Sequence, residues 1–260
     1  MLVWAQMQNT TDNAHPGLTQ RQDFWWFLPA VMIVSGIVAT VYLTWSALFA
    51  HDYAWGPYVS PLYHVPLVPS FWPISPAFLL LWIPAGFRLT CYYGRKVYHR
   101  AVFGSPMACS VEEPYRKKYR GESRFPFVLN NLHRYFLYFA LLLVCLHWYE
   151  LLHTFWFHGE IYLGFGTLLI LIDTLALTGY VFGCHALRHL VGGKERAMVG
   201  CSSCTKSCGK MKYNLWKKVT FFNIFHNVWF WVSLFSIALA DLYIRLLALG
   251  IFSFDPHVII

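Results

Sequence analysis

Residues 161–190 read IYLGFGTLLILIDTLALTGYVFGCHALRHL. A helix of roughly 20 apolar residues crosses about 30 Å of bilayer hydrocarbon, so this run is long enough to span a membrane. Four other stretches meet the same test, at 24–49, 76–98, 131–155 and 215–249. The predicted fold is therefore all-α: an integral membrane bundle of five transmembrane helices over residues 24–250. A polar segment, 1–23, precedes it, and a tail, 251–260, follows. Segment 1–23 lacks the basic-then-apolar plan of a cleaved signal peptide, so the first span is expected to remain in the mature protein.

Composition agrees with that class. Of the 260 residues 57% are apolar, 19% aromatic and only 12% charged, whereas a soluble domain carries about twice that share of charge. A net charge of +8 would suit nucleic acid if it were spread over one face. Instead the basic residues are confined to particular loops, which is the pattern of membrane topology and excludes a nucleic-acid partner.

Orientation follows from those loops. Arg95, Lys96, Arg100, Arg116, Lys117, Lys118, Arg120 and Arg124 follow the second span; Lys194, Arg196, Lys206, Lys210 and Lys212 follow the fourth. Both loops are expected in the cytoplasm, which places the N-terminus there and the C-terminus outside. Residues 50–75, the link around His158 and Gly159, and the tail after Gly250 contain no Lys or Arg. The first of these is rich in Pro and aromatics, as suits a stiff segment in the aromatic interface.

Charged groups within spans are costly and therefore informative. At 1.5 Å per residue, Arg88 and Asp173 each lie about 18 Å from the start of their spans, near the midplane, and are expected to pair. Such a pair would fix helix register or serve a quinone pocket or proton path. Asp241 and Arg245 stand at i,i+4 and pair locally. His147, Glu150 and His153 are expected to snorkel toward the outer interface.

Histidines and cysteines gather at the inner end. His133 opens the third span, Cys184, His185 and His189 close the fourth, and Cys91 and His99 close the second; His226 is expected two to three turns into the fifth. His185 and His189 share a helix face and can meet one metal or one cofactor edge. The inner loop adds Cys201, Cys204 and Cys208. In a reducing cytoplasm this spacing reads as metal or cluster ligation rather than disulfide. Zinc takes four N or S ligands, whereas a Rieske-type [2Fe-2S] centre takes two Cys on one iron and two His on the other; the chain offers both donor types.

Taken together, the segments 86–93 (GFRLTCYY), 106–114 (PMACSVEEP), 125–136 (FPFVLNNLHRYF), 183–193 (GCHALRHLVGG), 215–220 (LWKKVT) with His226, and 241–245 (DLYIR) resemble the membrane-anchor subunit of the actinobacterial type of succinate dehydrogenase. In that family a single five-helix subunit carries an embedded Rieske-type cluster in place of haem. The resemblance implies an anchor in the cytoplasmic membrane that docks a flavoprotein and an iron-sulfur protein on its inner face and passes electrons from succinate to a quinone, with menaquinone expected. The basic inner loops suit such docking, and without a Gly-rich nucleotide fingerprint the chain leaves flavin chemistry to its partner.

The cysteines and histidines that match the family's segments are Cys91, Cys109, Cys184, His185, His189 and His226, together with His133. Four are expected as ligands: His185 and His189 as the nitrogen pair, Cys91 and Cys184 for sulfur, with His133, Cys201, Cys204 and Cys208 in reserve. Quinone binding calls for an apolar slot with convergent polar groups. One candidate is inner, with Arg88, Tyr92, Tyr135 and Asn223; the other is outer, with Trp148, Glu150, Asp241, Tyr243 and Arg245. A di-haem cytochrome b anchor is the alternative within redox chemistry. Haem b needs bis-His pairs at two depths, but the outer depth offers only His51, His147 and His153, and the cysteines would have no role. A transporter is the alternative from another class; five spans do not split into repeated halves.

Overall fold

The computed structural model describes residues 17–49, 51, 53–63, 75–104, 107–113, 121–125, 127–192 and 207–259. Among the described residues four helical stretches are long and apolar enough to cross a membrane: Phe27–Phe49, Phe127–Phe155, Phe165–Phe182 and His226–Ala248. Within hydrocarbon every backbone N–H and C=O must bond inside its own segment, which is why these runs are helices. Contacts divide the chain into two units, Met1–Thr40 with Leu89–Asn131, and Val41–Arg88 with Leu132–Ile260.

Three expected spans prove to be broken. The stretch at 76–98 is α2 (Phe78–Thr90) followed by α3 (Tyr92–Ala101), interrupted where Cys91 takes an extended conformation. Its second half, with Arg95, Lys96, His99 and Arg100, is too polar for hydrocarbon, so only the first half is an apolar helix. The stretch at 161–190 begins as a strand, becomes α5 (Phe165–Phe182), breaks at Gly183 and Cys184, and resumes as α6 (His185–Gly192). The last stretch is α7 (Ser207–Ile224) and α8 (His226–Ala248), hinged at Phe225. His226 therefore opens a helix rather than lying turns inside one. Only α1 (Phe27–Phe49) and α4 (His133–Phe155, entered through a 3-10 turn at Phe127–Leu132) run unbroken.

In the larger unit α5 packs on both α4 and α8. Helix α2 runs antiparallel to α8: Leu81 joins the cluster that holds Ile237, while Arg88, two turns further on, reaches Phe230. At the expected outer end, α4 and α5 are joined by a hairpin of β3 (Trp156–Phe157) and β4 (Glu160–Gly164), with positive φ at His158 and Gly159, as tight hairpin turns require. The C-terminal strand (His257–Ile259) adds to β4. A second small hairpin, β1 (Ala54–Trp55) with β2 (Tyr58–Val59), sits at the same end, where Tyr58 packs among Leu151, Tyr162, Leu169 and Leu247. Taking these strands in chain order, the C-terminal one is β5.

In the smaller unit the backbones of 17–18 and 112 exchange hydrogen bonds, Arg21 donates to the Cys109 carbonyl at 2.9 Å, Arg95 pairs with Glu122, and Asn130 donates to the Thr90 carbonyl at 2.9 Å.

Candidate functional site

At the expected inner end of the larger unit, the break between α5 and α6 exposes backbone that a continuous helix would have satisfied. Asn223 donates to the freed Gly183 carbonyl at 2.7 Å, and Arg188 is tied to Thr220 at 3.0 Å. The break presents Cys184, fully buried, with its sulfur 3.2 Å from His133 Nε2 and accepting the Ala186 N–H at 3.3 Å. The His133 ring stacks on Phe87 with centroids 4.5 Å apart and bonds the Phe87 backbone. His226 stacks on Tyr180 at 4.9 Å and bonds the Tyr180 backbone. Anchoring one ring nitrogen on the backbone and leaving the other to face the site is the usual arrangement of a ligating histidine.

One turn into α6, His185 Nε2 and His189 Nε2 lie 2.9 Å apart. At i,i+4 the two imidazoles share one face of α6, and both are exposed. The donors thus occur as two pairs, His133 with Cys184 and His185 with His189. Among the described residues no group of three or more His, Cys, Asp or Glu is gathered closely enough to hold one metal ion. Cys91, His99 and Cys109 belong to the smaller unit, where Cys91 is buried, Cys109 exposed, and His99 lies against Phe127 at 4.9 Å. Cys201, Cys204 and the side chain of Cys208 lie outside the described residues.

Arg88 and Asp173 were expected to meet. Arg88 instead donates to the Phe230 carbonyl at 2.6 Å and to Ser233 at 2.8 Å, with its guanidinium 4.8 Å over the Tyr180 ring. Asp173 accepts from Ser236 at 2.8 Å and faces His147 Nε2 at 3.7 Å. Each charge is instead met by a serine of α8, the two serines a turn apart, so each has a hydrogen-bond partner without the other. Nor do His147 and Glu150 snorkel: they are 3% and 2% exposed, turned inward toward Asp173, and only His153 of that set is exposed.

The candidate quinone groups are engaged separately. Of the inner set, Arg88 and Asn223 are tied to backbone carbonyls as above, Tyr135 is largely exposed, and Tyr92, in the smaller unit, lies under Arg95 at 5.1 Å. Of the outer set, Trp148 donates to Thr178 at 3.1 Å. Asp241 and Arg245 form the expected i,i+4 pair at 3.0 Å, but they are closed off by α1 and the first hairpin: Tyr42 donates to Asp241 at 2.7 Å, Ser46 at 2.6 Å, and Ser60 also donates to it. Tyr243 donates to Asp255 at 2.6 Å.

Asp255 escaped the reading of the sequence. It is fully buried and also accepts from Tyr58 at 2.6 Å and from the Gly166 N–H at 3.1 Å, clasping the tail to the outer end. Burial, then the bond to Asp255, pushes the Tyr58 phenol well above its ordinary range, so it stays a donor. A lone acid in an otherwise apolar tail was the available signal. Beside the clasp an apolar groove of about 450 Å³ opens between Phe165, Tyr243, Phe252 and Phe254.

Comparison with known proteins bears on this arrangement. The family model for the actinobacterial succinate dehydrogenase subunit SdhC matches residues 27–250. Among solved structures, the chain is similar to one described as "Mycobacterium smegmatis Sdh1 complex in the apo form", with 32% sequence identity, a TM-score of 0.79, and coverage of 95% of this chain and 96% of that one. Curated proteins gave no match. A family match over most of the chain, the same fold over nearly all of it, and four long apolar helices agree: the chain belongs to the family of actinobacterial succinate dehydrogenase subunit SdhC, as a multi-pass protein of the cytoplasmic membrane.

Proposed function

We propose that this chain anchors the flavoprotein and iron-sulfur subunits of succinate dehydrogenase to the cytoplasmic membrane and passes their electrons to a membrane quinone through an embedded [2Fe-2S] centre of Rieske type. The chain crosses the bilayer five times, with α2 as the short second crossing. The observation that carries the reading is the placing of two donor pairs, His133 with Cys184 and His185 with His189, at the break between α5 and α6.

The donor chemistry there fits such a group. It takes donors in pairs, two nitrogens on one iron and two sulfurs on the other. His185 and His189 would supply the nitrogens, Cys184 one sulfur, and another cysteine of the chain the second. When bound, the centre carries one electron at a time. The chain's own part is to hold those side chains: Asn223 pins the Gly183 carbonyl, which fixes the backbone from which Cys184 and His185 project. Phe87 and Tyr180 stack on His133 and His226, while His185 and His189 are exposed. The basic inner loops offer a charged platform to the soluble subunits.

The test is paired optical and EPR spectroscopy on the dithionite-reduced complex, as wild type and as the His185→Ala, His189→Ala double variant. A Rieske-type signal without haem bands, lost in the double variant along with quinone reduction, is the expected result. Cytochrome b bands with no such signal would move the assignment to a haem anchor.

A further inference from the structure

Glu150 is 2% exposed, and neither of its carboxylate oxygens has a hydrogen-bond partner among the described residues. An anion so placed in hydrocarbon is strongly disfavoured, so the site asks for a proton. Glu150 is one turn along α4 from His147 and within electrostatic range of Asp173 on α5. His147 Nδ1 lies 3.0 Å from the Leu143 carbonyl. A carbonyl only accepts, so Nδ1 carries the ring proton, and in the neutral imidazole Nε2 is a lone pair. That lone pair faces Asp173 Oδ2 at 3.7 Å. Two acceptors face each other there unless a proton lies on one of them.

Among the described residues, the other elements around this cluster are α8 and α2. Helix α8 contributes Ser236, which donates to the second Asp173 oxygen at 2.8 Å, and Arg88 of α2 is felt by Asp173 only at range while it donates to Phe230 and Ser233. The same contacts make a file of buried polar groups: Asp173 to Ser236, then one turn along α8 to Ser233, Arg88 and the Tyr180 ring. The file leads from the outer half of the bundle toward the candidate redox centre.

We propose that Glu150, His147 and Asp173 form an intramembrane proton-binding site that supplies protons for quinone reduction. This rests on the quinone-reducing function proposed above. Succinate oxidation yields two electrons, and quinone with two electrons and two protons becomes quinol. A proton given up by the cluster leaves one carboxylate ionised, and uptake of a proton from the aqueous side restores it.

The experiment is reduced-minus-oxidised infrared difference spectroscopy on the assembled complex, in H₂O and D₂O, beside succinate:quinone turnover. Wild type is compared with Glu150→Gln and Glu150→Leu. The expected result is a carboxylic C=O band that shifts in D₂O and disappears in E150Q, with quinone turnover down about a hundredfold. Succinate oxidation by an artificial acceptor at the soluble subunits stays unchanged. A merely structural Glu150 would behave otherwise: E150L, which removes a buried acid, would then unfold at a higher temperature and turn over quinone normally. Wild-type quinone turnover in E150Q, or a difference spectrum with no Glu150 band, overturns the proposal. Should E150Q not assemble, Asp173→Asn is read by the same band and rate. A wild-type complex that reduces no quinone would sink the proposed function, and the D₂O-sensitive band would then decide the proton site alone.

Discussion

Asp241 accepts hydrogen bonds from Tyr42, Ser46 and Ser60, while Arg245 grips it from one turn along the same helix. Arg245 also donates to the Ser46 hydroxyl at 2.7 Å and to the Ser46 carbonyl at 3.2 Å. Both carboxylate oxygens of Asp241 and the Nε and Nη2 of Arg245 are thereby bonded, and each partner is buried. Removing one member of a buried pair strands the other's charge, at about 3–5 kcal/mol. Asp241→Ala is therefore expected to lower the thermal midpoint of the detergent-solubilised complex sharply, whereas a double replacement of Asp241 and Arg245 by leucine and methionine should cost less. Equal losses in the two variants would show that the pair is not a unit. The i,i+4 spacing of this pair was legible in the sequence because it is local. Its partners on α1 and at Ser60 were not, since nothing in a linear pattern says which serine lies across the bundle. The same holds for Arg88 and Asp173: their place within apolar spans was readable, but not the serines of α8 that receive each of them.

Helices are where hydropathy reads well on average and poorly in detail. A window of some 20 residues averages over a single extended or bent residue, so the interruptions at Cys91, Gly183 and Phe225 vanished into three apolar runs. The position of His226 was misjudged for that reason alone. Chemistry concentrates at such breaks because a broken helix frees backbone groups and turns side chains off the regular face. Gly183 shows the constraint most directly. A Cβ there would stand 2.8 Å from the Gly179 carbonyl oxygen and 2.8 Å from the Phe222 carbonyl oxygen, and backbone cannot swing aside as a side-chain tip can. Gly183→Ala should push α5 from α7 at an overpacking cost of about 1–3 kcal/mol, seen as a lower unfolding temperature. Because Cys184 is the next residue, the reduced-state EPR signal of the proposed centre should shift or broaden as well. A stable variant with an unchanged signal would mean that the break tolerates a side chain and does not position the cysteine.

For the molecule as a whole, the question left to chemistry is how many times it crosses the bilayer. Four helices are long enough by themselves, and α2 with its 13 residues reaches only about 20 Å. Contacts within the larger unit argue that it crosses nonetheless. Tyr58 is bonded to Asp255 and packed against Gly166, so the segment after α1 lies at the same end as the α4–α5 hairpin and the tail. Helix α2 then runs from that end, beside Ile237, down α8 to Phe230. The basic residues after it are expected in the cytoplasm. If α2 did not cross, keeping both basic loops inside would force the N-terminus out, while the C-terminus would be outside in either case. The N-terminus is thus the discriminating end. A cysteine placed before α1 in intact cells is expected to resist an impermeant maleimide and to react only after the membrane is opened, while a cysteine in the tail near His257 reacts at once. Immediate labelling at both ends would reduce the crossings to four and put the first 23 residues on the far side from the partner subunits.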